Sequence, residues 1–187
     1  MNNPRLAGRY AKSLLNLAIE QDTLDQVNAD MRFLLSITDS NPDFVAVLKS
    51  PVIASDKKEK IIESITKERV SPLTSLFIQL LMRKTRESNL PQIVRAFIEQ
   101  YNTLKNIHPV KITTAVPITE EVKNAIINKV KTDPQLQNIE LTALVQEELI
   151  GGFKLEMGDL LVDASIAHDL HDIKKQFLNN EYIHKLR

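Results

Sequence analysis

The sequence lacks cysteine and tryptophan, and it has only four glycines in 187 residues. Without cysteine there can be no disulfide framework, no thiolate metal site, no iron–sulfur cluster and no cysteine nucleophile. An excess of charge of one sign is also missing, because 24 Lys and Arg residues balance 24 Asp and Glu residues. A protein dedicated to nucleic acid needs clustered positive charge against phosphates, so this balance argues against that class.

Long apolar runs are absent as well. The longest unbroken run covers five residues, from Phe44 to Leu48, whereas a helix that spans a bilayer needs about 20. The first residues have neither the apolar segment of a secretory signal nor the Arg- and Ser-rich character of an organellar leader. A hydrophobic share of 43% with 26% charged residues is typical of a folded globular chain. We therefore predict a cytoplasmic protein of bacterial type.

Helical periodicity dominates residues 1–105. Pro4 can begin the first helix, and the apolar residues that follow form two neighbouring stripes along it. The stripes are Leu6, Tyr10, Leu14 and Leu17, and beside them Ala7, Ala11, Leu15 and Ala18. The predicted starts of five further helices lie near Asp22, Asn41, Ser55, Ser71 and Asn89. Six short helices with brief polar breaks predict a helical bundle.

The pattern changes near Pro109, where apolar and polar residues begin to alternate, as in a half-buried strand. A helix is predicted after Thr119 and a second strand around Leu141. The segment with Phe153 and Leu155 and a further strand from Leu160 to Ile166 are predicted to form a hairpin closed by Gly158. A last helix follows. Residues 106–187 are thus predicted to form a small α+β domain, and the whole chain belongs to the α+β class.

Candidate catalytic groups are few. His168 and His171 stand at i, i+3 on the last helix and could share a face as metal ligands. Asp159 and Asp163 flank a predicted strand and could act as paired carboxylates. A solvated helix face explains the histidines more simply, since no third ligand follows at helical spacing. Asp159 follows a glycine in a turn, where aspartate is expected for backbone reasons.

The glycine cluster of Gly151, Gly152 and Gly158 does not make a phosphate loop, because no Lys-Ser/Thr pair follows and a strand stands where a helix is required. The basic run of Lys57, Lys58 and Lys60 lies at a helix start, where such charges are usually solvated. A chain with two units and no catalytic constellation is better explained as an adaptor than as an enzyme.

The first helix supports this adaptor hypothesis, because it has more apolar surface than one neighbour would cover. Its two stripes make an apolar arc wider than one neighbouring helix needs, and its alanines permit close backbone approach. A groove beside it could accept an amphipathic helix from another chain. A central helix that is buried on all sides would show the same pattern, and periodicity alone does not separate the two.

Several motifs resemble, in order, those of the delta subunit of F-type ATP synthases, whose mitochondrial relative is the oligomycin-sensitivity-conferring protein. The first motif is the stretch around Arg9-Tyr10-Ala11. The motifs that follow it are Phe77-x-x-Leu80-Leu81 with Arg86, Leu90-Pro91-x-Ile93, Thr114-Ala115-x-Pro117-Ile118-Thr119, Ile150-Gly151-Gly152-Phe153, and Gly158-Asp159-x-x-Val162-Asp163-x-Ser165-Ile166. The chain departs at Ala164, where the family often has glycine, so a turn there would have to tolerate a side chain. It also departs at Arg83-Lys84, where acidic or amide residues are common.

The resemblance implies a non-catalytic subunit, one copy in a hetero-oligomeric, proton-translocating complex, without a cofactor or metal. It implies a peripheral stalk (stator) role at the cytoplasmic face of a bacterial inner membrane, where the subunit resists rotor torque. The N-terminal domain, residues 1–105, would bind the N-terminal helix of an alpha subunit in a groove between its first and fifth helices. The residues that this implies are Tyr10, Ala11, Leu14, Ala18, Phe77, Leu80, Leu81 and Lys84.

The resemblance also implies that the C-terminal domain, residues 106–187, binds the end of subunit b. We place that site on the last helix and the hairpin, with Leu170, Ile173 and Phe177 as apolar anchors unless these side chains belong to the core. We assign Gly151, Gly152, Gly158 and Asp159 to structural turns. Two alternatives stay open at this point. One is a free-standing helical adaptor unrelated to ATP synthase, and the other is an enzyme that uses His168 and His171.

Overall fold

The computed structural model describes residues 4–67, 69–119, 138–158 and 160–178. Two predictions fall outside these residues, namely the helix over residues 122–130 and the turn residue Asp159. Within the described residues the chain is a mixed structure of helices and one four-stranded sheet, which confirms the α+β class. It divides into two compact units, Met1–Leu104 and Lys105–Arg187.

The described part of the first unit contains six α-helices, and each begins within two residues of its predicted start. They are α1 (Pro4–Glu20), α2 (Leu24–Ser40), α3 (Pro42–Lys49), α4 (Ser55–Thr66), α5 (Pro72–Arg83) and α6 (Leu90–Leu104). A 3-10 turn, Glu87–Asn89, precedes α6. Pro42 and Pro72 occupy first helical positions, where the missing N–H costs nothing and the fixed φ favours the helix.

Helix ends in this unit do without glycine. The chain turns left-handed after α1, α5 and α6 at Asp22, Thr85 and Asn106, with φ of 55°, 53° and 51°. Glycine is the usual residue at such a position, and aspartate and asparagine tolerate it better than other side chains. Thr85 is β-branched and therefore strained there. Glycine is scarce in the sequence partly because Asp22, Thr85 and Asn106 take the left-handed positions at which helices usually end in glycine.

Helix α6 is at the centre of the first core and packs against α1 and α2. Its side chains Ile93, Val94 and Phe97 are completely buried. Two polar contacts reinforce this packing at its rim. The Tyr101 hydroxyl donates to Oδ1 of Asp25 over 2.8 Å, and the Gln100 side-chain amide donates to the carbonyl of Gly8 over 3.1 Å. Gly8 therefore faces α6.

Lys58 is buried, so the prediction that it is solvated is wrong. Its ammonium donates to Oε1 of Glu87 over 2.9 Å and to the carbonyl of Leu48 over 3.0 Å. The side chains of the two ions are 5% and 9% exposed. The pair links α4 to the end of α3 and to the 3-10 turn, whereas Lys57 and Lys60 are exposed as predicted.

The second unit holds one mixed sheet with the strand order β2-β1-β3-β4. The strands are β1 (Ile107–Thr114), β2 (Asn138–Val145), β3 (Gly152–Met157) and β4 (Leu160–Ser165). β1 pairs with β2 in parallel and with β3 in antiparallel orientation, and β3 and β4 form the expected hairpin. Val110 and Ile112 of β1 are buried, as the alternation in the sequence predicts.

A seventh described helix, α7 (Ile166–Leu178), follows β4 directly. The fourth strand therefore ends at Ser165, one residue earlier than predicted, and Ile166 begins the helix. Ala164 lies inside β4, so the turn expected at that position does not exist. The Asp163 and Ser165 side chains instead form the junction between strand and helix.

The glycines at 152 and 158 are required for different reasons. Gly152 has a φ of +76°, and a Cβ there would collide with the carbonyl oxygen of Ala164 on the paired strand. Gly158 has a φ of +56° in the hairpin turn, where Met157 pairs with Leu160 and nothing else is close. A side chain is therefore excluded at Gly152 by both space and backbone angle, and at Gly158 by backbone angle alone.

Among the described helices, none combines the length and the apolarity that a bilayer span requires.

Candidate partner-binding surfaces

The two stripes of α1 have different surroundings in the structure. At about 100° per residue, Leu6, Tyr10, Ser13 and Leu17 lie within about 60° of one another, and all four are exposed or half-buried. Leu14 projects about 80° from Leu6 and is only 1% exposed. It belongs with the buried alanines, and the polar Ser13 takes its place on the outer stripe.

Four residues predicted to meet an alpha helix are therefore in the core. They are Ala11, Leu14, Ala18 and Leu81, each with at most 1% of its surface exposed. A helix docked on this unit cannot contact them unless the core opens, because their surface is already covered by the unit itself. Their role is to support the outer residues from behind, and we correct the prediction of direct contact for these four.

Helix α5 shows the same division between a covered and an open side. Phe77 and Leu81 are buried, whereas Leu76 is 64% and Leu80 is 44% exposed. Leu73 is half-buried on the same outer stripe, and Lys84 is exposed immediately after the helix. Leu76 was not among the predicted contacts, although its place four residues before Leu80 puts it on the same face.

An aromatic contact joins α1 to α5. The rings of Tyr10 and Phe77 meet edge to face, with 6.4 Å between centroids and 65° between planes. Such a pair adds about 0.5–1.5 kcal/mol beyond its buried area. It joins the outer stripe of α1 to α5, and we treat the outer stripes of both helices together as one surface, which we call the α1–α5 surface. Its members are Leu6, Tyr10, Ser13, Leu17, Leu73, Leu76 and Leu80.

A buried polar network fixes the start of α5. The Ser71 hydroxyl donates to Oδ2 of Asp30 over 2.6 Å, and the Ser71 backbone N–H donates to the same oxygen over 2.8 Å. The Ser71 hydroxyl also accepts from the N–H of Thr74, as an N-cap does. Asp30 belongs to α2, so this network ties the helix that carries Leu76 and Leu80 to the core.

One end of the α1–α5 surface is a basic pocket of about 470 Å³. Its lining residues are Arg5, Leu6, Arg9, Tyr10, Ser13 and Arg86. Sequence reasoning placed Tyr10 on a partner-binding face but missed the three arginines. Arg86 is far from Arg5 and Arg9 along the chain, and no local pattern indicates that the fold brings them together.

A second depression of about 590 Å³ lies between α2, α3 and α4. It is lined mainly by apolar side chains, which include Ile37, Phe44, Ile61 and Ile65, and the Arg69 guanidinium sits 5.8 Å from the centre of the Phe33 ring at its edge. None of the predicted contact residues lies in it. This depression therefore serves as a control surface on the same unit when binding to the α1–α5 surface is tested.

On the second unit, α7 presents an apolar face to solvent. No side chain of α7 is buried in the part of the chain that the structure describes. Leu170, Ile173 and Phe177 are 50%, 48% and 77% exposed. At i, i+3 and i+7 they share one side of the helix. Among the described residues, they are therefore open to a partner and are not part of the core.

Two of the four polar residues considered for catalysis, Asp163 and His168, have structural partners. The Ser165 hydroxyl donates to Oδ1 of Asp163 over 2.6 Å, and this bond, together with the Ser165 N–H and the Lys154 ammonium at 3.3 Å, lowers the pKa of the Asp163 carboxyl. The same hydroxyl accepts from the N–H of His168, which caps α7. The Asp163 carboxylate thus stabilises the junction at which the chain passes from β4 into α7.

The His168 imidazole lies 3.5 Å from the Asp172 carboxylate, one turn further along α7. Across the residues that the structure describes, no three His, Asp or Glu side chains are grouped so that they could hold a metal ion.

A helical unit is followed by a small α+β unit, and each has an apolar helix face exposed among the described residues, a feature typical of proteins that contact other chains. A family model described as ATP synthase delta (OSCP) subunit matches residues 6–177. The chain belongs to this family.

Individual relatives agree with the family model over nearly the whole chain. A Cytophaga hutchinsonii protein named ATP synthase subunit delta is 37% identical over 177 residues, which are 95% of this chain and 96% of the relative. A Christiangramia forsetii protein of the same name is 33% identical over the full length of both chains.

A solved structure shares the fold. One chain of the cryo-EM structure of the Toxoplasma gondii mitochondrial ATP synthase hexamer aligns with a TM-score of 0.69 at 19% identity. The alignment covers 92% of this chain and 97% of that one.

Proposed function

We propose that this chain is the delta-type subunit of a bacterial F-type ATP synthase and forms part of its peripheral stalk. The observation that carries the proposal is membership of the delta family over residues 6–177, which include both units. Each unit also has an apolar helix face that the described residues leave open. A connecting subunit needs two such faces, one for each chain that it joins.

The physical task of such a subunit is to hold two partners together under torque. It resists rotation of the catalytic head, so it needs slow dissociation and no chemistry of its own. Slow dissociation comes from buried apolar anchors in well-packed contacts. We propose that α1–α6 act as one bundle against the head, and that the chain is held at the cytoplasmic face of the inner membrane through its partners.

We propose that the N-terminal helix of one alpha subunit docks on the α1–α5 surface. Leu76 and Leu80 are the most exposed apolar side chains of this surface, and complete burial of such a side chain contributes about 1.5–3 kcal/mol. Tyr10, Lys84 and the 8% of Phe77 that stays exposed complete the predicted surface that a docked helix could reach without opening the core.

Replacing Leu80 by Asp should weaken binding of an alpha N-terminal peptide by at least about tenfold, because docking would bury an unpaired carboxylate. The measurement is calorimetric titration of the full chain with a peptide from the start of the alpha subunit of the same genome. The matched control is Ile61→Asp, since Ile61 is 38% exposed but lines the second depression. If Ile61→Asp weakened peptide binding and Leu80→Asp did not, the peptide would lie in the second depression, and our proposal would be contradicted.

We propose that the end of subunit b docks on the face of α7 formed by Leu170, Ile173 and Phe177. An amphipathic helix from b would cover these side chains, as in other helix-in-groove contacts. Their exposure supports the proposal, because a soluble unit gains nothing from presenting three large apolar groups on one helix side.

The double variant Ile173→Asp/Phe177→Asp should lose binding to membranes that retain subunit b but have been washed at low ionic strength to release the head. Wild type should sediment with these membranes, and so should Lys175→Asp, which puts the same carboxylate on about the opposite side of α7. Equal sedimentation of the double variant would refute docking on this face. Failure of wild type to bind either these membranes or the alpha peptide would favour a free-standing adaptor.

A further inference from the structure

We propose that the pocket of Arg5, Arg9 and Arg86 binds acidic side chains of the docked alpha helix and thereby fixes the direction in which that helix lies on the α1–α5 surface. The inference rests on the proposed function, since it concerns the same occupant. It adds a polar specificity to a surface that is otherwise defined by apolar contacts.

The first support is the composition of the pocket. Three of its six lining residues are arginines and none is acidic. All three arginines are exposed, and in the described residues none of them forms an ion pair with a carboxylate. Three guanidinium groups around about 470 Å³ repel one another. A carboxylate placed among them would relieve this repulsion and could accept paired hydrogen bonds.

The second support is the uneven distribution of charge along α1. Arg5, Arg9 and Lys12 occupy its first half, whereas its acidic residue, Glu20, stands at the other end. Lys84 adds positive charge where α5 ends. The chain therefore offers an occupant one strongly positive end.

The third support is continuity with the apolar stripes. Leu6 and Tyr10 line the pocket and also belong to the α1–α5 surface. From Leu6 the outer stripe runs to Leu17, about 16 Å further along the helix axis. An occupant that places a carboxylate in the pocket would lay its apolar side along this stripe. The fitting partner is an amphipathic helix with acidic residues near one end only, since reversing it would leave the arginines without partners.

The test uses the purified full chain and a synthetic peptide of about 25 residues from the start of the alpha subunit of the same genome, which is roughly 37 Å long when helical. Arg9→Gln and Arg86→Gln should each weaken binding by about three- to tenfold, as expected for charge pairs that become partly desolvated on docking. Arg83→Gln is the matched control, because Arg83 is an exposed arginine at the end of α5 that does not line the pocket.

Two further measurements test charge and direction. A peptide with its terminal acidic residues changed to amides should bind wild type and Arg9→Gln equally, and affinity for the unmodified peptide should fall as ionic strength rises from about 0.01 M to about 1 M. A nitroxide at the acidic end of the peptide should broaden the amide resonances of Arg5 and Arg9. A nitroxide at the other end should broaden that of Leu17.

The outcomes separate this inference from the proposed function. If the peptide binds but Arg9→Gln and Arg86→Gln behave like Arg83→Gln, the pocket has no such role while the proposed function stands. The same holds if the alpha peptide has no acidic residue near an end or if the nitroxide pattern is reversed. If the peptide does not bind wild type at all, both proposals fail. Circular dichroism of each variant ensures that the fold is intact.

Discussion

Replacing Leu14 by Ala is expected to lower the free energy of unfolding of the helical unit by about 2–5 kcal/mol, the range for buried leucines. Leu80→Ala is expected to lower it by less than about 1 kcal/mol. Both residues are leucines on the two helices that form the α1–α5 surface, but Leu14 is 1% and Leu80 is 44% exposed. The removed Leu14 atoms would leave a cavity between α1 and the rest of the core, whereas those of Leu80 would leave only solvent.

Urea unfolding of the full chain, followed by circular dichroism at 222 nm where helices dominate the signal, measures both effects. The slope of the transition should be unchanged in both variants, so that a shifted midpoint reports stability. Equal midpoint shifts for Leu14→Ala and Leu80→Ala would contradict the division into core and outer stripes. The pair also shows why Leu80, and not Leu14, is the right residue for a binding test.

Periodicity alone came close to this division. The 3.6-residue repeat separates the two stripes of α1, and the starts of the helices follow from residues such as Pro42, Ser71 and Pro72. The class of fold and the hairpin at Gly158 follow in the same way. The i, i+4, i+7 spacing of Tyr10, Leu14 and Leu17 predicts that Leu14 shares the outer stripe. Its direction lies between the two stripes, and only the packing of α1 against α6 and α2 decides which side it joins.

Contacts between distant parts of the chain were beyond local patterns. Arg86 shares a pocket with Arg5 and Arg9 because of the path of the chain after α5, and that path depends on the whole helical unit. The same is true of Lys58, whose partner Glu87 is 29 residues further along the chain. A lysine in the first half of a charged helix is usually solvated, but here the tertiary fold buries Lys58 against Glu87.

Breaking the Lys58–Glu87 pair is expected to have the other large effect on stability. Lys58→Met would leave the Glu87 carboxylate buried without its counter-charge, and loss of one partner of a buried pair costs about 3–5 kcal/mol. Oε2 of Glu87 has no hydrogen-bond partner among the described residues even with Lys58 present. The contact of Oε1 with the Lys58 ammonium is therefore the only one among those residues that offsets burial of the carboxylate. The Leu48 carbonyl would also lose its donor.

The double variant Lys58→Met/Glu87→Leu should recover the part of this loss that comes from the isolated charge, because it removes both charges together. What it should not recover is the cost of the unpaired Leu48 carbonyl, about 1–3 kcal/mol. Lys57→Met, on the adjacent exposed lysine of α4, is the control and should change stability by no more than about 0.5 kcal/mol. Urea midpoints of wild type, Lys58→Met, Glu87→Leu and the double variant at neutral pH give the coupling between the two ions directly. Equal midpoints for Lys58→Met and Lys57→Met would mean that the buried pair does not hold α4 to the 3-10 turn. A double variant as unstable as Lys58→Met alone would mean that the cost comes from lost packing and not from an isolated charge.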